Sequence, residues 1–110
     1  PISDVLLANF SVLPEVVTPN GDGINDLIEI GYDVTNIARL SPITVRIYDL
    51  SGRMIRKLVE EEVVSGRFKT QWDGLDNHGS LVSPGHYPIV LSLEAGTGTV
   101  REIQLARIAY

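Results

Sequence analysis

The stretch that decides the fold class is residues 43–53, Ile-Thr-Val-Arg-Ile-Tyr-Asp-Leu-Ser-Gly-Arg. Ile43, Val45 and Ile47 are separated by single residues of a different character, which is the period of a β-strand with one buried face. The Asp-Leu-Ser-Gly segment that follows is typical of a tight turn, because these residues favour chain reversal. This stretch therefore predicts a strand, a turn and a returning antiparallel strand.

The same two-residue period continues outward on both sides of this hairpin. Clusters of Gly, Asn, Asp and Pro separate the alternating segments at short intervals. Seven strands are predicted, at residues 5–12, 27–34, 43–49, 53–62, 67–72, 86–95 and 99–108. Seven short strands in 110 residues are typical of an all-β, immunoglobulin-like sandwich of antiparallel strands. Because no linker or repeat interrupts them, residues 1–110 are predicted to form a single domain.

In two segments the sequence is compatible with more than one local structure. Residues 53–64 also fit a helix, because Ile55, Leu58 and Val59 have helical spacing, but the turn before them favours a strand. Pro88 interrupts the strand at 86–95 and lacks the N–H that a sheet ladder uses. It therefore predicts an edge strand or a bulge.

Charge and composition exclude several classes of function. The formal charge is −5, from 14 acidic and 9 basic residues, which disfavours nucleic acid and anionic membrane surfaces as partners. The chain has no cysteine, so disulfides and thiolate chemistry are excluded. No apolar run is long enough to cross a bilayer. We therefore expect protein partners, either the domains of a host protein or copies of this chain. Because the chain starts at Pro1 rather than Met, we expect a processed protein or a module of a longer one.

Residues 18–26, Thr-Pro-Asn-Gly-Asp-Gly-Ile-Asn-Asp, form an acidic, glycine-containing turn. Glycines let the backbone fold back and aim its carbonyl groups inward. Calcium prefers six to eight oxygen ligands from carboxylates, amides and carbonyls. The spacing fits a D-x-D-G-x-x-D calcium turn and not the EF-hand loop, so the turn predicts a Ca²⁺ site. Its candidate ligands are Asn20, Asp22, Asn25 and Asp26.

A simpler interpretation of this turn needs no metal, because Asn and Asp side chains also bond their own backbone two residues on. A single short turn seldom fills a calcium shell, so a second segment would have to contribute. Asp73 and Asp76, in the turn at 72–79, are the candidate second ligands. For that turn the tight-turn interpretation is favoured, and Trp72 before it is predicted to be a core anchor.

No catalytic constellation stands out, and we expect no enzyme activity. Ser80, Ser83, His78 and His86 supply the residue types of a hydrolase, but no nucleophile elbow activates a hydroxyl. The three consecutive glutamates at 60–62 point alternately to opposite faces of a strand. They predict a solvated edge strand that resists aggregation, and not an acid–base pair.

Three blocks of sequence, in order, resemble the FlgD-like immunoglobulin domain: TPNGDGIND, ITVRIYDLSGRMIRKLVE and SGRFKTQWDGLDNHGSLVSPGHYPIVL. The PNGDGxND opening is also similar to gliding-motility and type IX secretion sorting modules. The resemblance covers about residues 8–108. It implies a non-catalytic structural, anchoring or assembly module on a secreted bacterial protein, at the cell surface or outside the cell. The family's motif positions fall on Asn20, Asp22, Asn25, Asp26, Tyr48, Asp49, Gly52, Arg53, Trp72, Asp73, Gly74, Gly85 and Tyr87.

Three functional hypotheses follow. The first is a rigid extracellular module that holds or presents other domains, with calcium clamping the acidic turn to a neighbouring loop. The second is a self-assembling subunit of a filament or surface layer, because both terminal segments are apolar and suited to strand exchange. The third, ranked last, is a carbohydrate-binding module. A solvent-exposed Trp72 beside Tyr87 would favour it.

Overall fold

Eight β-strands make up the computed structural model, which describes residues 6–14, 16–17, 27–35, 37, 39–95 and 98–109. The strands are β1 (Leu7–Leu13), β2 (Val16–Val17), β3 (Ile28–Val34), β4 (Ser41–Tyr48), β5 (Met54–Val63), β6 (Gly66–Trp72), β7 (Gly85–Ala95) and β8 (Gly98–Ile108). They form a three-stranded sheet in the order β1-β3-β6 and a five-stranded sheet in the order β2-β8-β7-β4-β5. The seven long strands are antiparallel to their neighbours, whereas the two-residue β2 runs parallel to β8. The predicted all-β sandwich is confirmed.

The core lies between the two sheets and is made by the alternation that the sequence shows. Every second side chain of β3, β4 and β7 is buried, because successive residues of a strand point to opposite faces. Burial of apolar side chains between two sheets is the main stabilising term in a sandwich. The fully or almost fully buried side chains from these strands are Ile28, Ile30, Tyr32, Val34, Ile43, Val45, Ile47, Ile89, Leu91 and Leu93.

Trp72, at the end of β6, joins the two sheets. Its indole is fully buried, and its Nε1 donates to the Leu75 carbonyl at 2.9 Å. Tyr87 of β7 packs against it edge-on, with ring centroids 5.6 Å apart. The Tyr87 hydroxyl donates to the Ser83 carbonyl, four residues upstream, at 2.5 Å. This is the tyrosine corner of immunoglobulin-like sandwiches. The predicted role of Trp72 as a core anchor is confirmed, and its burial means that it is not the exposed aromatic that would favour carbohydrate binding.

The β4–β5 hairpin confirms the strand interpretation of residues 53–64. Asp49 organises its turn, since its Oδ1 accepts hydrogen bonds from the Ser51 amide at 3.0 Å, the Ser51 hydroxyl at 2.6 Å and the Arg53 amide at 2.9 Å. The Ser51 hydroxyl is the largest of the causes that lower the pKa of Asp49. A side chain that caps its own turn in this way sets the hairpin register locally. The alternative helix is therefore wrong.

Two sequence-based expectations about strand position need correction. Pro88 predicted an edge strand or a bulge, but β7 lies inside the sheet, between β8 and β4, and its pairing with β8 is continuous. The β4–β7 ladder stops at Ile89, so Pro88 stands just beyond it. The missing amide donor costs least there. The short β2 was not predicted, because two residues are too few to show a period.

The terminal strands lie in the sheets of their own chain. β1 pairs with β3, and β8 pairs with β7 along its whole length from Gly98 to Ile108. Strand exchange between copies would have to break one of these ladders first. The structure therefore weighs against the filament hypothesis built on exchange of terminal strands.

Candidate functional site

The six predicted calcium ligands divide into two groups. Asn20, Asp22, Asn25 and Asp26 lie outside the described residues, so the structure does not test their role. Asp73 and Asp76 are described, and both lie in the connection between β6 and β7. In the part of the chain that the structure describes, no group of three or more acidic or histidine side chains is arranged to hold a metal ion.

Asp73 ties this connection to the neighbouring sheet. Its Oδ1 accepts from Arg56 Nη1 of β5 at 2.9 Å and from the Leu75 amide at 3.1 Å. Arg56 Nη1 also lies 3.2 Å from the Leu75 carbonyl, to which it donates. The ion pair is partly exposed, so solvent screens it and its net contribution is about 1 kcal/mol or less. Asp73 thus holds the end of β6 against β5.

Asp76 closes a compact turn over residues 76–80. Its Oδ1 accepts from the His78 amide at 2.8 Å and from the Ser80 amide at 3.0 Å. Its backbone amide donates to the Ser80 carbonyl at 2.8 Å, and Gly79 adopts the positive φ of 83° that the turn needs. These bonds lower the pKa of Asp76, with the Ser80 amide as the largest cause. The hydrogen bonding matches the tight-turn interpretation of this segment.

Asn77 docks the same turn onto the free edge of β5. Its amide donates to the Ile55 carbonyl at 3.0 Å, and its Oδ1 accepts from the Lys57 amide at 3.2 Å. Unpaired strand edges invite pairing with other chains, and covering the edge prevents it. Asn77 was not singled out from the sequence, because its role depends on a strand about twenty residues away.

The outer face of the three-stranded sheet, here called the three-stranded face, satisfies its own charges. Asp33 accepts from Asn9 Nδ2 at 2.7 Å and from Arg67 Nε at 3.2 Å. Asn9 has a positive φ of 53° and sits in an irregularity of the β1–β3 register, as a bulge residue does. Lys69 lies 3.5 Å from Glu29 across the β3–β6 pair. Cross-strand pairs therefore neutralise this face.

The outer face of the five-stranded sheet, here called the five-stranded face, is different. It consists of the outward side chains of β4, β5, β7 and β8, and a groove of about 460 Å³ lies across one half of it. That half carries Thr44, Ser92, Arg101, Glu60 and Glu62. The other half is mostly apolar, although His86 and Arg107 point outward at its end. Its other side chains are Tyr48, Met54, Pro88, Val90, Ile103 and Leu105.

Arg46 lies where the two halves of the five-stranded face meet, opposite Val90 of β7 and Lys57 of β5. Its Nε is buried and has no acceptor among the described residues. A buried donor costs about 1–3 kcal/mol unless water or another molecule accepts from it. Sequence alternation indicates that Arg46 faces outward, but it does not reveal that its Nε lacks an acceptor in the part of the chain that the structure describes.

No helix long and apolar enough to traverse a bilayer occurs among the residues that the structure describes.

Comparison with known proteins supports the fold. No curated protein matches the sequence. Among solved structures, the chain is similar to the crystal structure of dimeric latent PorU from Porphyromonas gingivalis, with a TM-score of 0.70 and 13% sequence identity. The match covers 91% of this chain but 9% of that one. At this identity the likeness shows the shared sandwich alone.

A family model identifies the chain more closely. The model of the CHU_C type IX secretion signal domain matches residues 11–104, which begin within β1 and end within β8. The similarity of the PNGDGxND opening to type IX sorting modules is thereby confirmed, while the likeness to FlgD-like domains stays a resemblance in sequence motifs. Because the match spans almost the entire sandwich, this chain belongs to the type IX secretion signal domain family.

Proposed function

We propose that this chain is the secretion signal of a cargo protein and carries the domains attached to it through the type IX apparatus. The observation that carries the proposal is the family match over residues 11–104. Membership of this family implies secretion across the outer membrane, to the cell surface or the exterior. The domain itself is non-catalytic, and any enzymatic activity would belong to the domains it carries.

The described fold supports a signal that is recognised in its folded form. Trp72 and Tyr87 lock the two sheets together, and Asp49 and Asp76 close their turns with local hydrogen bonds. A rigid sandwich keeps outward side chains in fixed relative positions, so a partner binds them without a large ordering cost. The transport machinery is the partner that this function requires.

The test is a fusion of a fluorescent reporter to the N-terminal side of this chain, exported to the periplasm of a bacterium with the type IX apparatus. We expect the reporter on the cell surface or in the medium, and in the periplasm of a strain without the apparatus. A Trp72→Ala fusion is the matched control, because it removes the core anchor and leaves the surface sequence unchanged. Periplasmic retention of the wild-type fusion in the competent strain would refute the proposal.

Calcium at the acidic turn remains a separate proposal. Asn20, Asp22, Asn25 and Asp26 would supply most of the oxygen ligands. Asp73 and Asp76 could complete the shell only through oxygens that their turn hydrogen bonds leave available. Calorimetric titration with Ca²⁺, compared with the Asp22→Ala/Asp26→Ala variant, tests the site. Binding heat and a higher melting temperature in the wild type alone would support it, and identical behaviour with calcium or chelator would rule it out.

A further inference from the structure

Between Glu102 and Leu105, the polarity of β8 is inverted relative to its neighbours. Opposite residues of an antiparallel pair point to the same face, so Leu91 of β7 places Glu102 on the core side. Glu102 has a buried Oε2 without a partner among the described residues, and the inward-facing Gln104 reaches the Phe10 carbonyl at 3.3 Å. Meanwhile Ile103 and Leu105 point outward and are 59% and 55% exposed. A strand that buries only its inner face favours apolar side chains on that face and polar side chains on the outer face.

The exposed apolar side chains of β8 are part of a wider patch. Ile103 lies opposite Val90, and Leu105 lies opposite Pro88, on the adjacent strand β7. On the far side of the sheet, Met54 is 41% exposed and lies opposite Tyr48. Contiguous apolar surface of this kind marks an interaction site, whereas single exposed apolar residues do not.

Charge is distributed unevenly across the width of this face. β5, at one side, presents Glu60 and Glu62, of which Glu60 is bonded to Lys57. β8, at the other side, presents Arg101 and Arg107. Arg101 contacts Ser92 weakly, at 3.4 Å. The face therefore carries two carboxylates along β5 beside Lys57, two arginines along β8 and apolar side chains across the middle of one half, with Glu94 of β7 a further carboxylate in the groove.

We propose that the five-stranded face packs against the same face of a second copy of this chain, about a two-fold axis parallel to the strands. Such an axis places β5 of one copy over β8 of the other. It leaves the position of each residue along the strand direction unchanged. The apolar half of one copy then meets the apolar half of the other, and Glu60 meets the partner's Arg101. A two-fold interface must be self-complementary in this way. Aligned packing of two sheets has the geometry to bury such a face.

The occupant is a second copy because acidic and basic side chains lie at opposite sides of this one surface. A purely acidic partner would leave the β5 carboxylates facing like charge, and a purely basic one would repel Arg101 and Arg107. A copy of the chain satisfies both sides at once. The dimer would also shield the exposed Ile103 and Leu105 that β8 presents. This inference is independent of whether the chain directs secretion.

The test is sedimentation velocity of the 110-residue chain over a dilution series, from about 1 to about 500 μM. We expect a monomer–dimer equilibrium. Leu105→Glu should weaken the dimer by about 100-fold, because it places a charge at an apolar contact twice per dimer. Leu13→Glu is the matched control, since Leu13 is 61% exposed but lies on the opposite sheet, and it should leave association unchanged.

Charge reversal tests the orientation of the two copies. Glu60→Arg and Arg101→Glu should each weaken association by about tenfold, and the double variant should restore most of the loss. Melting curves of every variant establish that it is folded. A chain that stays monomeric throughout the series overturns the proposal. So does a dimer that resists Leu105→Glu, which would point to another surface. Failure of the double variant to recover would refute the two-fold arrangement.

Discussion

The two outer faces of this sandwich differ in how far their side chains are paired within the chain. On the three-stranded face, Asp33 is bonded to Asn9 and Arg67, and Lys69 neighbours Glu29. On the five-stranded face, an apolar patch lies exposed and Arg46 Nε has no acceptor among the described residues. The first face is complete within one chain. The second keeps exposed apolar side chains and a buried donor without an acceptor in the described part of the chain, and it is the face that the proposed dimer would cover.

The agreement between sequence pattern and burial also differs between β8 and β3. Local disagreement between a sequence pattern and a fold is expected at functional sites. On β8 that disagreement is specific: Glu102 faces the core and Leu105 faces outward. On β3, by contrast, the alternation and the burial agree at every position from Ile28 to Val34.

The largest expected effect comes from Trp72→Ala. It should destabilise both sheets, and so both outer faces, because Trp72 packs between them. Removing this fully buried side chain should cost about 3–5 kcal/mol of unfolding free energy, from lost burial and the cavity left behind. Chemical denaturation monitored by circular dichroism measures it. Trp72→Phe, which keeps an aromatic ring, should lose clearly less. A loss below 1 kcal/mol for Trp72→Ala would contradict the anchoring role.

Tyr87→Phe should have a smaller effect, because it removes the hydroxyl and keeps the ring that packs on Trp72. The lost bond to the Ser83 carbonyl should cost about 1 kcal/mol. Denaturant midpoints of the two proteins measure the difference. Equal midpoints for Tyr87→Phe and the wild type would show that the tyrosine corner contributes nothing.

Acid should act on the three-stranded face through Asp33. The Asn9 side chain is the largest cause that lowers the pKa of Asp33 below its ordinary value of 3.8, and Arg67 also contributes. A lowered pKa means that this stabilisation is complete above the ordinary value and is lost as the pH falls from there through the lower pKa of the folded state. Thermal melts below pH 4 should therefore show a shallower decline for Asp33→Asn than for the wild type. Asp49 and Asp76 also have lowered pKa values, so both proteins should keep part of the decline in melting temperature with falling pH. Identical declines in the two proteins would show that Asp33 does not contribute.

The smallest effect is expected for Lys69→Ala. Its contact with Glu29 is long and exposed, so stability should fall by about 0.5 kcal/mol or less. Dimer formation should not change, because Lys69 lies on the face that is already complete. A measurable change in association would show that the two faces are not as different as their charges indicate.

Much of the fold was predictable from local pattern. Alternation placed the seven long strands, and it identified Trp72 as a core residue before its packing was known. The hairpin after β4 followed from Asp49 and Gly52, which set turn geometry with their own chemistry. The tight-turn interpretation at Asp76 succeeded for the same reason. These features depend on residues close together in the chain.

The remainder depended on contacts between distant segments. Pro88 predicts an edge strand or a bulge, because pattern does not reveal that the β4–β7 ladder ends at Ile89, one residue after it. Asn77 showed nothing of its role without β5 beside it. The outward direction of Ile103 and Leu105 follows from the β7–β8 register, which places Glu102 inward instead. Register is a long-range property, and the apolar residues of β8 alone do not determine it.

The short parallel pairing of β2 with β8 has a mechanical consequence. Val16 and Val17 pair with Arg107 and Ile108. In a parallel pair, tension applied before β2 and after β8 pulls the strands along their length, so both rungs bear the load together. The antiparallel β7–β8 hairpin, pulled apart at its open end, would instead give way one rung at a time. This two-residue contact is therefore a small shear clamp between the first and last parts of the described fold.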